Sequence, residues 1–331
     1  MRSRRYDVPA MTRSDASEKR GVFAATVRSN RRLCEEHHLL RLDVGADFPP
    51  TRAGQFVQVQ CGRLDVEAPP LAHEWGEDRP RRLQRPELVG SPALLRRPFS
   101  LAGREQLGGQ TVLDIIHRVV GRGSAFLAEL AEGEVISILG PLGNAFTWSD
   151  DTRLGVLVGG GVGLPPMLYL AERLHQAGKR SLVYAGATSA RLLPLSVDAA
   201  VPPSQAGWPS LCVRELARWG AETTISTDDG SLGYPGRVSE ALFNWIDQGR
   251  IPREGTIVYT CGPERMMRAI AEGCIARGFA CQVAMERKMA CGMGTCQSCV
   301  CKTRADNPTG WAYSLVCTDG TVFDARDILW D

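Results

Sequence analysis

The sequence has no excess of charge of either sign, no long apolar run and no apolar leader. Its 39 Lys and Arg against 37 Asp and Glu leave a formal net charge of +2, which gives no electrostatic reason to expect a nucleic acid or membrane partner. No apolar run approaches the roughly 18–20 residues that a transmembrane helix needs. Met1–Arg20 is polar and Arg-rich, unlike a secretory signal. We expect a disordered tail over residues 1–19, with Met11 an alternative start, and a cytoplasmic location.

Cysteine is abundant and unevenly placed. Of the 11 cysteines, five lie between Cys281 and Cys301 and a sixth is Cys317. In a chain without a secretory signal, closely spaced cysteines indicate metal binding rather than disulfides.

Hydrophobic periodicity divides the chain into two domains and an appendage. Over residues 20–150 short alternating runs such as Gly21–Val27, Gln55–Gln60 and Thr111–Val119 predict an antiparallel β-barrel. Residues 63–95, rich in Pro, Arg and Glu, predict a surface insertion between two of its strands, whose role the sequence does not define.

From residue 151 to 284 strands and helices alternate, which predicts a doubly wound α/β domain. Strands are expected at Leu154–Val158, Ser181–Ala185, Glu222–Thr227 and Thr256–Thr260, and helices at Leu164–Ala177, Val238–Asp247 and Pro263–Arg277. Residues 285–331 are Cys- and Gly-rich, and we expect an irregular subdomain there.

The cysteine spacing in this last segment is specific. Cys291, Cys296 and Cys299 form C-x4-C-x2-C, and Cys317 follows after a longer gap, which is the plant-type [2Fe–2S] ligand pattern. The alternative is a structural zinc site, but zinc ribbons usually present two short paired motifs. Cys301 lies close enough to compete as a ligand, and we interpret it as a core thiol.

A second group of residues indicates a flavin site. The members are Arg97, Pro98, Phe99 and Ser100, then Ile116, His117 and Arg118, and then Gly123 and Ser124. Arginine guanidinium groups suit phosphate, and Ser100 is placed to hydrogen-bond a flavin ring. Gly123 and Ser124 begin a predicted helix, Ser124–Leu130, whose N-terminus favours a pyrophosphate. FAD is therefore predicted rather than FMN.

Two glycine turns indicate nucleotide binding. Gly160, Gly161 and Gly163 follow an apolar strand and open a helix, and Cys261, Gly262 and Pro263 do the same later. In a doubly wound sheet both turns face one crevice at the carboxyl edge. For Asp228–Ser231, at the same edge, a structural turn and a ligand contact remain equally open. The sequence does not separate NAD from NADP, and we interpret Arg191 as solvated.

The order of these three signatures resembles the ferredoxin reductase superfamily. Two segments, Glu286–Cys296 (E-x-x-M-x-C-G-x-G-x-C) and Cys317–Phe323, resemble the corresponding segments of a narrower family. That family is the electron-transfer subunits of NAD-dependent (class 1B) dihydroorotate dehydrogenases. By position, the flavin residues above match the FAD contacts of that family and the four cysteines match its cluster ligands. This chain departs from the family at three positions. Thr321 stands where the family usually has proline, Ser124 where it usually has threonine, and His117 where an aromatic residue is common.

The resemblance implies an oxidoreductase subunit with no catalytic residue for dihydroorotate. Electrons would pass from FMN in a separate catalytic subunit, through [2Fe–2S] and FAD, to NAD⁺ as a diffusible substrate, in pyrimidine (UMP) biosynthesis. The assembly would contain two of each chain. The alternatives are an NAD(P)H:ferredoxin or sulfhydrogenase-type reductase subunit serving another partner, an oxygenase reductase, and a non-catalytic redox sensor or structural metal protein.

Overall fold

A computed structural model describes residues 20–62 and 95–330. The predicted tail and all of the predicted insertion except Leu95 lie outside these residues. The described chain forms two seven-stranded sheets and one hairpin.

The first sheet is antiparallel, with the strand order β4-β3-β7-β1-β2-β6-β5. Its strands are β1 (Gly21–Cys34), β2 (His37–Gly45), β3 (Phe56–Val59), β4 (Arg97–Ser100), β5 (Gly103–Leu107), β6 (Gln110–Arg118) and β7 (Val135–Leu142). The sheet curls so that β4 approaches β6, and the rings of Phe99 and His117 meet edge to face at 5.9 Å.

One helix, α1 (Arg122–Glu129), packs on this barrel and starts two residues earlier than predicted. Its C-terminal carbonyls have no partners within the helix. The side-chain NH2 group of Asn30, on β1, lies within hydrogen-bond distance of three carbonyls at this end, those of Leu127, Ala128 and Leu130, at 2.8, 3.2 and 3.0 Å, and shares its two hydrogens among them. The helix is thereby fixed to the sheet on the side away from its N-terminus.

The second sheet is parallel over its first six strands, in the order β11-β10-β9-β8-β12-β13. Its strands are β8 (Leu154–Gly160), β9 (Arg180–Ala187), β10 (Glu222–Thr227), β11 (Tyr234–Pro235), β12 (Thr256–Cys261) and β13 (Ala280–Ala284). The helices are α2 (Leu164–Gln176), α3 (Arg214–Ala217), α4 (Val238–Asp247) and α5 (Glu264–Ala276). Central β8 is buried along almost its whole length, as expected of a strand covered on both faces.

The C-terminal segment is not irregular, and that prediction was wrong. β14 (Val300–Arg304) and β15 (Trp311–Leu315) form an antiparallel hairpin, and β16 (Val322–Asp324) joins the second sheet antiparallel to β13. The hairpin is stabilised by cross-strand contacts, including Thr303 Oγ1 to Ser314 Oγ at 2.7 Å. Buried and exposed residues alternate along β14, as in a half-buried strand. The strands are too short for this alternation to stand out in the sequence.

Two side chains connect this C-terminal segment to the barrel. Asn144, just after β7, accepts a hydrogen bond from Val322 N at 2.7 Å and donates one to Val322 O at 2.8 Å. The Thr321 hydroxyl donates to Gly54 O at 2.6 Å, a bond that the proline usual at this position cannot form. The C-terminal segment is therefore held against the barrel as well as against the second sheet.

Candidate functional site

The four predicted cluster cysteines come from two separate stretches, and the fold brings them together. Cys291 and Cys296 lie on the loop after β13 and retain solvent exposure, whereas Cys299 and Cys317 are buried. The thiols of Cys291 and Cys296 interact directly with each other, and so do those of Cys299 and Cys317. The donor set is thus two neighbouring pairs of thiols.

This pairing fits a dinuclear cluster better than a single zinc ion. A structural zinc site needs four donors converging at about 2.0–2.3 Å on one ion. Within residues 20–62 and 95–330, no three His, Cys, Asp or Glu side chains are placed to hold one metal ion together. A [2Fe–2S] cluster spreads its four thiolates over two irons, so the residues present fit that group.

Polar groups surround the exposed pair of thiols. Met293 N and Cys296 N both lie 3.4 Å from Cys291 Sγ, and the Ser298 hydroxyl lies 3.1 Å from Cys296 Sγ. The bond from Ser298, with those to Cys291, lowers the pKa of Cys296 to about 6. Burial raises the pKa of Cys317 to about 12, so metal binding must displace the proton of that thiol.

The ligand loop depends on two glycines. Gly292 and Gly294 have φ of +72° and +89°, values that glycine adopts at little cost. Cys301 follows on β14, is 4% exposed and pairs with Ser314 on β15. Burial raises its pKa to about 11, and its thiol belongs to neither pair of cysteines described above.

Of the predicted flavin residues, Phe99 on β4 contacts His117 at the end of β6, and α1 begins shortly after β6, at Arg122. Arg96 is bound to β7 through Ser137 O and Oγ at 2.7 and 2.8 Å. The neighbouring Arg97 guanidinium is exposed and contacts only the carbonyls of Leu95 and Arg96 among the described residues. Arg97 is therefore the arginine of this strand whose side chain remains available to a phosphate, whereas Arg96 anchors the strand.

The other predicted phosphate contacts are partly engaged. Arg118 forms an ion pair with Glu36 at 2.8 Å. Ser124 Oγ accepts hydrogen bonds from Val120 N and Gly121 N at 2.9 and 3.2 Å and donates to Gly121 O at 3.0 Å. The Ser124 hydroxyl therefore shapes the turn that precedes α1, with Gly123 buried beside it.

His117 is the most unusual of the predicted flavin residues. Its ring is 1% exposed, and neither ring nitrogen has a hydrogen-bond partner among the described residues. It stacks on His38 with ring centroids 5.7 Å apart. Burial, and then the neighbouring His38 and His37, lower the pKa of His117 to about 4, so the ring is neutral at pH 7. Ile116, next to it, is also buried.

The two predicted nucleotide turns lie against each other. A β-carbon on Gly163 would lie 2.1 Å from Cys261 O, and one on Gly262 (φ +140°) 2.8 Å from Gly160 O. Both turns therefore require glycine for close backbone approach. Gly161 has φ +55° and faces open space, which leaves its backbone accessible to a ligand.

Around these turns the remaining groups are structural or solvated. Pro263 precedes α5 directly, and burial raises the pKa of Cys261 to about 12, so Cys261 stays a thiol. In the acidic turn, Ser231 Oγ donates to Asp229 Oδ1 at 2.5 Å and accepts from Ala190 N at 2.8 Å, which favours the structural interpretation. Arg191 is 77% exposed and 3.3 Å from Glu35.

Sequence reasoning missed Gln58. It lies on β3 directly opposite Pro98 on β4, is 0% exposed and contacts the cluster loop at Gly292. The only available signal was a polar residue inside the apolar run Phe56–Val59.

The family can be assigned by comparison with known proteins. Residues 286–329 match the family profile for the iron-sulfur cluster binding domain of dihydroorotate dehydrogenase B, and residues 157–272 match an oxidoreductase NAD-binding domain. The dihydroorotate dehydrogenase B (NAD(+)) electron transfer subunit of Caldanaerobacter subterraneus subsp. tengcongensis is 30% identical over 94% of this chain and 100% of its own length. The Geobacillus kaustophilus subunit of the same name is 36% identical over 92% of this chain and 97% of its own length. The chain belongs to this family of electron-transfer subunits.

Solved structures agree on the fold of this electron-transfer subunit family. The NADH-dependent reduced ferredoxin–NADP oxidoreductase superposes with a TM-score of 0.67 at 21% identity, over 92% of this chain and 90% of its own. Phthalate dioxygenase reductase superposes with a TM-score of 0.52 at 17% identity, over 89% of this chain and 77% of its own. The predicted family and fold class are confirmed. Among the described residues, no helix has the length and apolar character to span a bilayer.

Proposed function

We propose that this chain is the electron-transfer subunit of an NAD-dependent dihydroorotate dehydrogenase. Electrons from dihydroorotate, taken up by FMN in a separate catalytic subunit, pass through a [2Fe–2S] cluster and FAD on this chain to NAD⁺. The reaction serves pyrimidine biosynthesis in the cytoplasm, in an assembly with two copies of each chain. The observation that carries the proposal is a quartet of neighbouring cysteine thiols with the plant-type [2Fe–2S] spacing, in the segment that matches the family's cluster-binding domain.

Each domain contributes one part of this relay. Cys291, Cys296, Cys299 and Cys317 would hold the cluster, which supplies one-electron transfer. Arg97, Ser100 and the turn at Gly123–Ser124 would hold FAD, which converts between one-electron and two-electron transfer. The turns around Gly161 and Gly262 would hold the nucleotide, which accepts a hydride.

The packing keeps the flavin strand and the cluster loop adjacent. Gln58 on β3 lies opposite Pro98 on β4 and contacts Gly292 on the cluster loop. Asn144 and Thr321 fix the C-terminal segment to the barrel through hydrogen bonds of 2.6–2.8 Å. Because electron tunnelling weakens steeply with distance, these contacts set the geometry on which transfer depends.

The partner is tested by reconstitution. The purified chain alone should reduce ferricyanide with NADH and should not turn over dihydroorotate. Adding the FMN-containing catalytic subunit from the same organism should produce dihydroorotate:NAD⁺ activity. If the chain oxidises NADH but the catalytic subunit produces no coupled activity, while a ferredoxin or sulfhydrogenase partner does, the relay serves that other partner.

A further inference from the structure

Gln58 occupies the boundary between the barrel and the cluster loop. It is the third residue of β3, and its side chain shares a face of the sheet with the directly opposed Pro98. A β-carbon built on Gly292 would lie 2.7 Å from both Cγ and Nε2 of Gln58. Gly292 follows Cys291 directly, so the Gln58 amide lies against the backbone that carries a predicted cluster ligand.

The amide of Gln58 has no partner although it is completely buried. Both Oε1 and Nε2 are inaccessible and neither forms a hydrogen bond to any described residue. Two other buried glutamines differ. The Gln55 amide bonds Arg52 N and Gly143 O, and the Gln282 amide bonds Thr147. Buried polar groups in native proteins are nearly always partnered, so the Gln58 amide requires an acceptor or donor outside the described residues.

The amide of Gln58 approaches the cluster loop through its nitrogen. Nε2, rather than Oε1, is among the atoms closest to the Gly292 position, and it can only donate. The sulfur atoms of an iron–sulfur cluster carry negative charge and accept hydrogen bonds from such donors, which raises the reduction potential. We propose that Gln58 donates a hydrogen bond from Nε2 to a sulfur of the cluster beside Cys291.

This role extends the proposed function and rests on it, because it requires the cluster to be present. The loop's own backbone already supplies N–H groups to Cys291 Sγ from Met293 and Cys296. Gln58 adds a donor from the flavin domain, beside the loop at Gly292. The barrel thereby influences how easily the cluster is reduced, in addition to holding it near the flavin.

The test is a redox titration of the holoprotein followed by electron paramagnetic resonance. Gln58→Leu and Gln58→Met keep the side-chain volume and remove the donor. Each should bind iron and sulfide as wild type does. At a fixed potential, the ratio of reduced to oxidised cluster should fall roughly two- to tenfold, the range expected for one neutral hydrogen bond. The flavin midpoint should stay unchanged. Gln60→Leu is the matched control. The Gln60 side-chain amide donates to Gly62 O, and its loss should leave the ratio as in wild type.

A second measurement detects the hydrogen bond in the wild-type protein itself. In wild-type protein with ¹⁵N in its glutamine amides, pulsed spectroscopy of the reduced cluster should show one weak nitrogen coupling, absent in Gln58→Met. An unchanged cluster ratio in both variants, a shift of the flavin midpoint instead, or no amide coupling in the wild type would overturn the assignment. If a variant loses its cluster, the wild-type coupling decides. Wild-type protein without a [2Fe–2S] cluster would contradict the proposed function itself.

Discussion

Replacing His117 with phenylalanine should make the protein less sensitive to acid. The His117 ring is buried, has no hydrogen-bond partner among the described residues and stacks on His38. Its pKa falls from 6.5 to about 4, whereas in the unfolded chain it returns to about 6.5. Between pH 6.5 and pH 4 the unfolded chain therefore binds a proton that the folded protein excludes. Stability is present above pH 6.5 and is lost as the pH falls through this window.

The size of the effect follows from the two pKa values. At pH 7 both states are almost fully neutral at this position, and the difference is negligible. At pH 5 the unfolded state is almost fully protonated and the folded state is not, which costs about 2 kcal/mol relative to pH 7. Because about 1 kcal/mol shifts the melting temperature of a 150–250-residue domain by about 2–4 °C, the cost corresponds to about 4–8 °C.

The assay is thermal unfolding of wild type and His117→Phe at pH 7 and pH 5. Between these two pH values the wild-type protein should lose about 4–8 °C more than the variant. Acid effects on groups distant from His117 are common to both proteins and cancel in the difference. His175→Phe, at an exposed position, should behave as wild type. Equal losses in wild type and His117→Phe would refute the reasoning, because they would show that His117 does not titrate at a depressed pKa.

Three further predictions concern the cofactors and the partner. Iron and sulfide analysis should find about two of each per chain. Cys296→Ser should remove most of the cluster absorbance, whereas Cys301→Ser should retain it. Zinc as the sole bound metal after anaerobic preparation would contradict the cluster. The flavin extracted from the protein should be FAD. Arg97→Ala should weaken FAD binding roughly ten- to a hundredfold in a fluorescence titration, because it removes a charge-assisted hydrogen bond. Wild-type affinity in this variant would exclude Arg97 as a flavin contact. Met293, 51% exposed on the cluster loop, should contact the catalytic subunit. Met293→Glu should lower coupled dihydroorotate:NAD⁺ activity and spare NADH–ferricyanide activity; equal loss of both would show that the loop serves the fold.

Local patterns in the sequence predicted the cluster ligand loop and several helices and strands of this protein. The spacing of Cys291, Cys296 and Cys299 predicts a ligand loop because the geometry of a short loop depends on neighbouring residues alone. Strand β10 at Glu222–Thr227 and helix α4 at Val238–Asp247 have the predicted bounds, since hydrophobic period and turn residues act over a few positions. The same reasoning failed for β14–β16, which are too short for the period to be distinctive.

Only the tertiary structure could decide which distant groups meet. The pairing of Cys299 with Cys317, the hydrogen bond from Thr321 to Gly54 and the contact of Gln58 with Gly292 join residues that are far apart in the chain. Likewise His117 is an ordinary strand residue until the pairing of β2 with β6 places it opposite His38 and the packing of the barrel buries it. Burial and hydrogen bonding depend on how the sheets curve and pack against each other. These long-range contacts shift the pKa values and place the flavin strand next to the cluster loop, and the function is inferred from both.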